Sequence, residues 1–318
     1  MLRRTWQSLM IALARSSRLT RVLQGSRAGS SLAAKYVAAV DPSGAVDRAS
    51  ALLSTHGIRS SLFYLGEYVS HRDLVAENVS NKLAVVNALS AAGLDVHVSI
   101  DPTQIGHAID PALACRNALR IAEAIAAAGA GKAGVHCLML DMEDTALNDA
   151  TITLHDDMRR RGLPVALTLQ AYLRRTADDL SLQVDSGSRV RLVKGAFAAD
   201  AGVAFTRHAD IKSSYQRLLE TMFSPRARAS GFYPIVATHD DRLHALALAI
   251  ARQNGWAQGQ YEFEMLLGVR ADVSLALAKS GERIRLYLPF GRDWWPYAAR
   301  RIGESPNNAL LLARSLFG

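Results

Sequence analysis

Residues 134–172 decide the fold; they read GVHCLML, DMED, TALNDATITLHDDMRRRGL, PVALTLQ and AY in succession. Two short apolar runs, 134–140 and 164–169, each end in polar residues, Asp141 after the first and Gln170 after the second. Short apolar runs that begin at Gly or Pro indicate buried strands. The segment therefore predicts a strand, a helix and a second strand.

The same pattern repeats in both directions along the chain. We predict eight strands, at 59–65, 95–100, 134–140, 164–169, 190–193, 233–237, 261–266 and 283–288. Ala- and Leu-rich helical stretches, such as 111–129 and 242–254, alternate with them. Eight such units in 318 residues favour a closed parallel barrel over an open sheet. The first strand is not followed by GxGxxG, the main sign of a dinucleotide-binding Rossmann domain. We predict an α/β fold: a distorted (β/α)8 TIM-type barrel over 46–318, preceded by a basic helical arm over 1–45.

The net charge of +8 belongs to the arm. Residues 1–40 carry seven basic side chains and no acid, and the remaining 30 basic residues nearly balance 29 acidic ones. A basic face on the barrel is therefore not indicated, and no nucleic-acid partner is expected. No stretch approaches the roughly 18 apolar residues of a membrane span. Cys115 and Cys137 lack CxxC spacing, so neither a disulfide framework nor a zinc site is indicated, and a reducing compartment is the default.

Residues 5–24 place apolar side chains between arginines at helical spacing. Three interpretations stay open. The segment is a structural helix packed on the barrel, a basic amphipathic helix that contacts an anionic membrane, or a cleaved transit segment.

Active sites of such barrels lie at the carboxyl ends of the strands, and here those ends are unusually polar. They carry Gly66-Glu67, Asp141-Met142-Glu143-Asp144, Gln170-Ala171-Tyr172, Arg191-Leu192-Val193-Lys194-Gly195-Ala196 and Thr238-His239-Asp240. Each alone is as well explained by a structural ion pair or a helix cap. Their convergence at one end of a barrel favours a functional site.

The segment after the eighth strand, residues 287–304, is the most informative. Asp293 is a plausible N-cap of a helix on which Tyr297 and Glu304 lie three or four positions from Arg300 and Arg301. Paired guanidiniums suit a carboxylate or phosphate. The alternative is a solvated helix with Arg–Glu pairs, against which the nearby tryptophans argue.

The sequence resembles the proline dehydrogenase family, most closely the short monofunctional bacterial enzymes. The resemblance rests on motifs found in order along nearly the whole chain: Leu65-Gly-Glu67, Leu140-Asp-Met-Glu-Asp144, Leu169-Gln-Ala-Tyr172, Arg191-Leu-Val-Lys-Gly-Ala-Phe197, Ala237-Thr-His-Asp240, Glu262-Phe-Glu-Met-Leu266 and the block from Tyr287 to Asn308.

The resemblance implies a flavoenzyme that oxidises L-proline to Δ1-pyrroline-5-carboxylate. Hydride would pass from proline C5 to the N5 of FAD, and the electrons then to a membrane quinone. It implies a cytoplasmic protein with peripheral contact on the inner face of the membrane. Asp141 and Arg191 are the implied catalytic residues. The implied substrate-binding residues are Arg300, Arg301, Tyr287, Tyr297, Leu266 and Asp101, with Tyr287 favouring proline over 4-hydroxyproline. FAD would be held by Met142, Gln170, Arg191, Val193, Lys194, Gly195, Ala196, Thr238, His239 and Glu304.

Two positions depart from the family pattern. Asp101 stands where the family usually has a lysine that contacts the substrate carboxylate, so we expect weaker proline binding or a reorganised charge network. Phe197 replaces a common tyrosine, a mild change. Two other functions stay open: an aldolase-type barrel with Lys194 as a Schiff-base lysine, and a degenerate barrel that adheres to membranes or nucleic acid through its arm.

Overall fold

The computed structural model describes residues 34–66, 69 and 71–303, without the side chains of Arg300 and Ile302. Eight strands close into one parallel barrel, paired in chain order, with β1 against β8. The strands are β1 Arg59–Tyr64, β2 His97–Ile100, β3 Cys137–Leu140, β4 Val165–Gln170, β5 Arg189–Val193, β6 Tyr233–Ala237, β7 Glu262–Leu266 and β8 Ile284–Phe290. All eight predicted strands and the (β/α)8 fold are confirmed, with small differences at the strand ends.

Helices alternate with the strands outside the barrel. They are α1 Pro42–His56, α2 Arg72–Ala91, α3 Pro111–Gly129, α4 Asn148–Arg160, α5 Thr176–Asp185, α6 His208–Met222, α7 Pro225–Ala229, α8 Asp241–Gln253, α9 Ala271–Lys279 and α10 Trp294–Gly303. Short 3-10 turns at Pro102–Ile105 and Thr145–Leu147 follow β2 and β3.

Local sequence sets where several of these helices begin. Asp110 accepts a hydrogen bond from the backbone N–H of Ala112 at 2.9 Å, and Pro111 occupies the first helical position. A carboxylate cap followed by proline suits a helix start, because the cap satisfies an unpaired N–H and proline has none to satisfy. Asp41 and Pro42 begin α1 in the same way.

The main hydrophobic core fills the layer between the strands and the helices. Inside the barrel, the amino ends of the strands hold a buried ionic cluster, the lower network, made of Asp95, Glu262 and Arg285. Arg285 donates from Nε to Glu262 at 2.8 Å and from Nη2 to Asp95 at 2.9 Å, and from Nη1 to the carbonyl of Ser60 at 2.8 Å. Because every charge has a partner, the network avoids the cost of an unpaired buried charge at this end of the barrel.

The end of the predicted arm packs on the barrel. Tyr36 and Val37 are buried, and Ala38 donates its backbone N–H to the carbonyl of Pro289 in β8 at 2.8 Å. The predicted boundary between 45 and 46 falls inside α1. Residues 1–33, with most of the arm, lie outside the described residues, so the arm stays a prediction. Within the part of the chain that the structure describes, no helix is both long and apolar enough to span a membrane.

Candidate active site at the barrel mouth

The carboxyl ends of the eight strands form the mouth of the barrel. Just inside it lies a second ionic cluster, the upper network, made of Asp141, Thr168, Arg191, Glu264 and Tyr287. Glu264 and Tyr287 follow Glu262 and Arg285 by two residues on the same strands, so they point to the same inner face one layer higher.

Arg191 is the centre of the upper network. Its guanidinium is paired with Asp141 and with Glu264, the latter at 2.8 Å from Nη1 to Oε1, and its Nε donates to the Thr168 hydroxyl at 3.1 Å. The Tyr287 hydroxyl donates to Asp141 Oδ2 at 2.8 Å. The two predicted catalytic residues, Asp141 and Arg191, thus lie in direct contact with each other.

Electrostatics differ among the members of this network. Burial raises the pKa of Glu264, and the guanidinium of Arg191 opposes this rise. One oxygen of that carboxylate, Oε2, is buried without a hydrogen-bond partner among the described residues. Burial, followed by the charge of Asp101, raises the pKa of Tyr287 well above its usual value, so the phenol stays protonated as a donor.

An aromatic wall stands beside the upper network. The rings of Tyr287 and Phe63 lie 5.2 Å apart between centroids, and Leu266 packs against the same cluster. Tyr297 and Trp295 on α10 are buried in it. The three predicted apolar and phenolic contacts for a substrate ring, Tyr287, Tyr297 and Leu266, thus lie in one cluster, and the structure adds Phe63 to it.

The helix predicted after Asp293 is present as α10. The Arg301 guanidinium lies over the Tyr297 ring, 5.3 Å from its centroid. Burial, helped by the charge of Arg301, lowers the pKa of His239 to about 4, so this imidazole is neutral near pH 7. The side chain of Arg300 and all of Glu304 lie outside the described residues, and their predicted roles stay predictions.

Some of the predicted cofactor residues surround the ends of β3, β4 and β5. Gln170 donates through Nε2 to the carbonyls of Met142 and Glu143, at 3.0 and 2.8 Å, and its Oε1 is buried without a partner among the described residues. Val193 is the register partner of Gln170. Gly195 has φ +92°, and a Cβ there would overlap the Tyr172 ring.

The remaining cofactor candidates are less buried. Lys194 and Ala196 are exposed, and Lys194 lies 3.2 Å from His208 Nδ1. Thr238 and His239 are half-buried at the end of β6, and His239 Nδ1 is another buried atom without a partner in the described residues. Because a Schiff-base lysine is activated by desolvation or by a second cation, an exposed Lys194 does not favour the aldolase alternative.

Asp101 is half-buried directly after β2, near enough to Tyr287 for its charge to affect the pKa of that phenol. Sequence reasoning missed Thr168 and Glu264, because it considered the strand ends and not the inner face. Polar residues spaced two apart, Glu262 with Glu264 and Arg189 with Arg191, were the available signal.

Comparisons with known proteins agree on one family. The family model described as proline dehydrogenase matches residues 46–313. A proline dehydrogenase of Deinococcus radiodurans is 33% identical over 292 residues, 90% of each chain. Proline dehydrogenase 2 of Bacillus subtilis is 31% identical over 258 residues, 80% of this chain and 81% of the relative.

Among solved structures, a proline utilization A (PutA) protein of Bdellovibrio bacteriovorus inactivated by N-propargylglycine superposes with a TM-score of 0.77 at 17% identity. The match covers 91% of this chain but only 34% of that larger protein, so this chain spans about a third of it. At this identity the likeness supports the barrel fold.

Proposed function

Because the chain belongs to the proline dehydrogenase family, we propose that it oxidises L-proline to Δ1-pyrroline-5-carboxylate with FAD bound at the barrel mouth. The observation that carries the proposal is the upper network: a tyrosine, a carboxylate and a guanidinium bonded to one another beside the aromatic wall. This arrangement offers a small amino acid both an apolar surface and fixed charges.

The substrate ring would lie against Tyr287, Tyr297 and Leu266, which share one apolar cluster. Its carboxylate would be bound by Arg301, and by Arg300 as the motif implies. The guanidinium of Arg301 is already oriented by its contact with the Tyr297 ring. A planar cation held in place loses less entropy when it binds a carboxylate.

Asp141 would bind the substrate amine. Arg191 and Tyr287 both bond to this carboxylate, so its oxygens are held in fixed positions at the mouth. An amine must be deprotonated before it can lose a hydride from the adjacent carbon. Asp141 can accept a hydrogen bond from that amine and so orient it, and the guanidinium of Arg191 offsets the tendency of the carboxylate to keep the amine protonated.

The residues of the mouth suit FAD. Gln170 Oε1 and His239 Nδ1 are buried polar atoms without partners among the described residues, and a cofactor with N–H and C=O groups could satisfy them. Met142, Val193, Gly195, Ala196 and Thr238 would line it, and Arg191 and Lys194 would supply positive charge. When bound, FAD would supply the N5 atom that accepts hydride from proline C5.

The test is the absorption spectrum of the purified protein under anaerobic conditions. A flavin band that bleaches when L-proline is added is the expected result. A colourless protein, or a flavin band unaffected by proline, contradicts the proposal. N-propargylglycine carries a secondary amine and a carboxylate, as proline does. It inactivated the PutA protein of Bdellovibrio bacteriovorus, so we expect it to inactivate this protein as well.

We also propose that a membrane quinone reoxidises the protein and that the basic arm provides peripheral membrane contact on the cytoplasmic side. The arm carries most of the excess positive charge, which favours anionic lipid. Since Tyr36 and Val37 are buried, the informative deletion is of residues 1–33. Proline-dependent reduction of a soluble quinone should persist in detergent, whereas binding to anionic vesicles should be lost. Unchanged vesicle binding would contradict the role of the arm.

A further inference from the structure

Glu143 is a buried carboxylate that the proposed chemistry does not use. Thr103, in the 3-10 turn after β2, binds both of its oxygens. The Thr103 backbone N–H donates to Oε2 at 2.9 Å, and the Thr103 hydroxyl donates to Oε1 at 2.6 Å. A buried carboxylate is costly unless donors reach it, and here each oxygen has one. Glu143 therefore ties the loop after β3 to the turn after β2.

The turn that Glu143 binds is itself anchored to the barrel. Gln104 of this turn has no solvent exposure, and its Nε2 donates to the carbonyl of Tyr64 at the end of β1 at 2.9 Å. The backbone carbonyl of Gln104 accepts a hydrogen bond from Nδ2 of Asn78 in α2 at 3.1 Å. Because β1 and α2 hold the turn in this way, a bond to the turn restrains the loop after β3.

The same loop is also bonded to β2 and β4. Nε2 of Gln170 donates to the carbonyls of Met142 and Glu143, at 3.0 and 2.8 Å. At the start of the loop, Asp141 donates its backbone N–H to the carbonyl of Ile100 at 2.8 Å. The Glu143 side chain is thus an anchor of a short loop whose first residue is the proposed amine-binding carboxylate.

The placement of this loop matters because the Asp141 carboxylate has partners on two other strands. It is paired with Arg191 of β5 and accepts the Tyr287 hydroxyl of β8. These bonds fix its oxygens only while the Asp141 backbone stays at a distance that allows both to form. Displacing a catalytic group by about 1 Å breaks good hydrogen-bond geometry and costs up to about 100-fold in rate.

We propose that Glu143 is a positioning residue: it holds the loop after β3 against the turn after β2, so that Asp141 stays in place between Arg191 and Tyr287 when substrate binds. The inference rests on the proposed function. It assigns Glu143 a role through Asp141, since the Glu143 oxygens are bonded to Thr103.

The first test is the rate constant for flavin reduction at saturating proline, measured by stopped flow. Glu143→Ala should lower it by about 10- to 100-fold. Glu143→Gln should stay within about threefold of the unmodified protein, because an amide can accept the Thr103 N–H and donate to the Thr103 hydroxyl. A Glu143→Gln variant as slow as Glu143→Ala overturns the proposal, and so does a Glu143→Ala variant as fast as the unmodified protein.

Asp144→Ala is the matched control. Asp144 is the next carboxylate along the same loop, but it is exposed and caps the 3-10 turn Thr145–Leu147 by accepting the backbone N–H of Ala146 at 3.0 Å. Its loss should lower Tm by a few degrees and leave the reduction rate constant unchanged. A merely structural role of Glu143 would give this same pattern, a lower Tm with an unchanged rate.

A double-variant cycle measures whether Glu143 acts through Asp141. In an Asp141→Ala background, Glu143→Ala should change the reduction rate constant by less than about twofold, because the side chain that it positions is absent. A general loosening of the barrel would lower the rate by the same factor in both backgrounds. Equal factors overturn the proposal.

Hydrogen–deuterium exchange tests the contact without proline or turnover. The bond to a buried carboxylate protects the Thr103 amide hydrogen, so Glu143→Ala should speed exchange at this amide, within a peptide spanning 101–106, on the order of tenfold. Glu143→Gln and Asp144→Ala should retain the protection. Unchanged exchange in Glu143→Ala overturns the proposal.

If Glu143→Ala does not fold, substitutions at Thr103 decide instead. Thr103→Val keeps the backbone N–H and removes the hydroxyl donor, so the reduction rate constant should fall roughly three- to tenfold. Thr103→Ser keeps the hydroxyl and should match the unmodified protein. Equal rate constants for the two variants overturn the proposal.

These outcomes are distinct from failure of the proposed function. If proline does not reduce the flavin of the unmodified protein, the proposed function fails and the role of Glu143 through Asp141 fails with it. If proline reduces the flavin and the variants do not follow the pattern, the role of Glu143 alone is refuted.

Discussion

The barrel contains two ionic networks of similar composition, one above the other, and they differ in how completely their polar atoms are paired. In the lower network, Arg285 and Glu262 have no solvent exposure, and all polar atoms of Arg285, Glu262 and Asp95 are bonded. In the upper network, Glu264 keeps a buried oxygen without a partner among the described residues, and the side chain of Asp141 is 13% exposed.

The difference indicates what each network is for. In a fully paired buried cluster the loss of one partner leaves an uncompensated charge, and no polar atom is left to bind a ligand. A cluster with an unpaired acceptor and a carboxylate open to the mouth can take up a ligand without first breaking its own bonds. Glu262 and Glu264, two positions apart on β7, thus belong to two clusters, of which only the upper one has polar atoms left to bind a ligand.

The strongest test of this comparison is Arg285→Met. It leaves Glu262 buried without a cation and Asp95 paired with Arg59 alone, which should lower the free energy of unfolding by about 3–5 kcal/mol. Urea denaturation followed by circular dichroism measures it. Arg226→Met, which removes an exposed partner of Asp185, is the control and should change stability by less than about 1 kcal/mol. Equal effects of the two variants would refute the structural role of the lower network.

Arg191→Met should reduce activity more than stability, which is the reverse of what we expect for Arg285→Met. Loss of the fixed cation at the mouth should reduce kcat/KM for proline by about 10²- to 10³-fold. Its effect on stability should be smaller than that of Arg285→Met, because Glu264 has a raised pKa and can be protonated when its partner is lost. Stopped-flow flavin reduction and urea denaturation measure the two quantities. A variant that is as unstable as Arg285→Met yet fully active would remove the distinction.

Arg301→Ala should affect substrate binding alone. Loss of one charge-assisted contact to a carboxylate should raise KM for proline up to about 100-fold. The flavin content of the purified variant should not change. An unchanged KM would show that Arg301 does not bind the carboxylate.

Tyr287→Phe retains the ring and removes the hydrogen bond to Asp141. Because a hydrogen bond to a charged group contributes about 1.5–3 kcal/mol, KM for proline should rise on the order of tenfold or slightly more. The ratio of kcat/KM for proline to that for 4-hydroxyproline should fall, since the phenol hydroxyl no longer occupies the space beside ring carbon 4. A ratio unchanged from that of the unmodified protein contradicts this role.

The smallest expected effect is the pH dependence of stability. The pKa of Asp95 in the lower network is lowered and that of Glu264 in the upper network is raised, so their contributions to stability change with pH in opposite directions. Among the influences on Asp95, burial is the largest and raises its pKa, but the paired arginines outweigh it and hold the pKa below its usual value. This contribution to stability is present above about pH 4 and is lost as the pH falls through the folded-state pKa. The pKa of Glu264 is raised, so its contribution is present at low pH and is lost as the pH rises above about 4.3.

Glu264→Gln should therefore flatten the decrease in unfolding free energy on the higher-pH side and leave the acid side unchanged. Urea titrations between roughly pH 3 and pH 8 measure this. A variant whose profile matches the unmodified protein on both sides would show that Glu264 does not titrate as described.

Much of the site was predictable from the sequence. Asp141, Arg191 and Tyr287 were identified from motifs at strand ends, and the structure brings these three side chains into contact. Thr168 and Glu264 could not be found in this way, because they lie within β4 and β7 and not after the strand ends. Both contact Arg191, which lies on a different strand from either of them.

The sequence by itself determined the eight strands, their order and the polar residues that end them. These features are local: alternating apolar runs and helical stretches encode them within a few residues. Only the tertiary structure decided which charges are paired, such as Arg191 with Glu264 across 73 residues of chain. That choice depends on the stagger of strands around a closed barrel, which sets the side chains that share each inner layer, and no local pattern contains it.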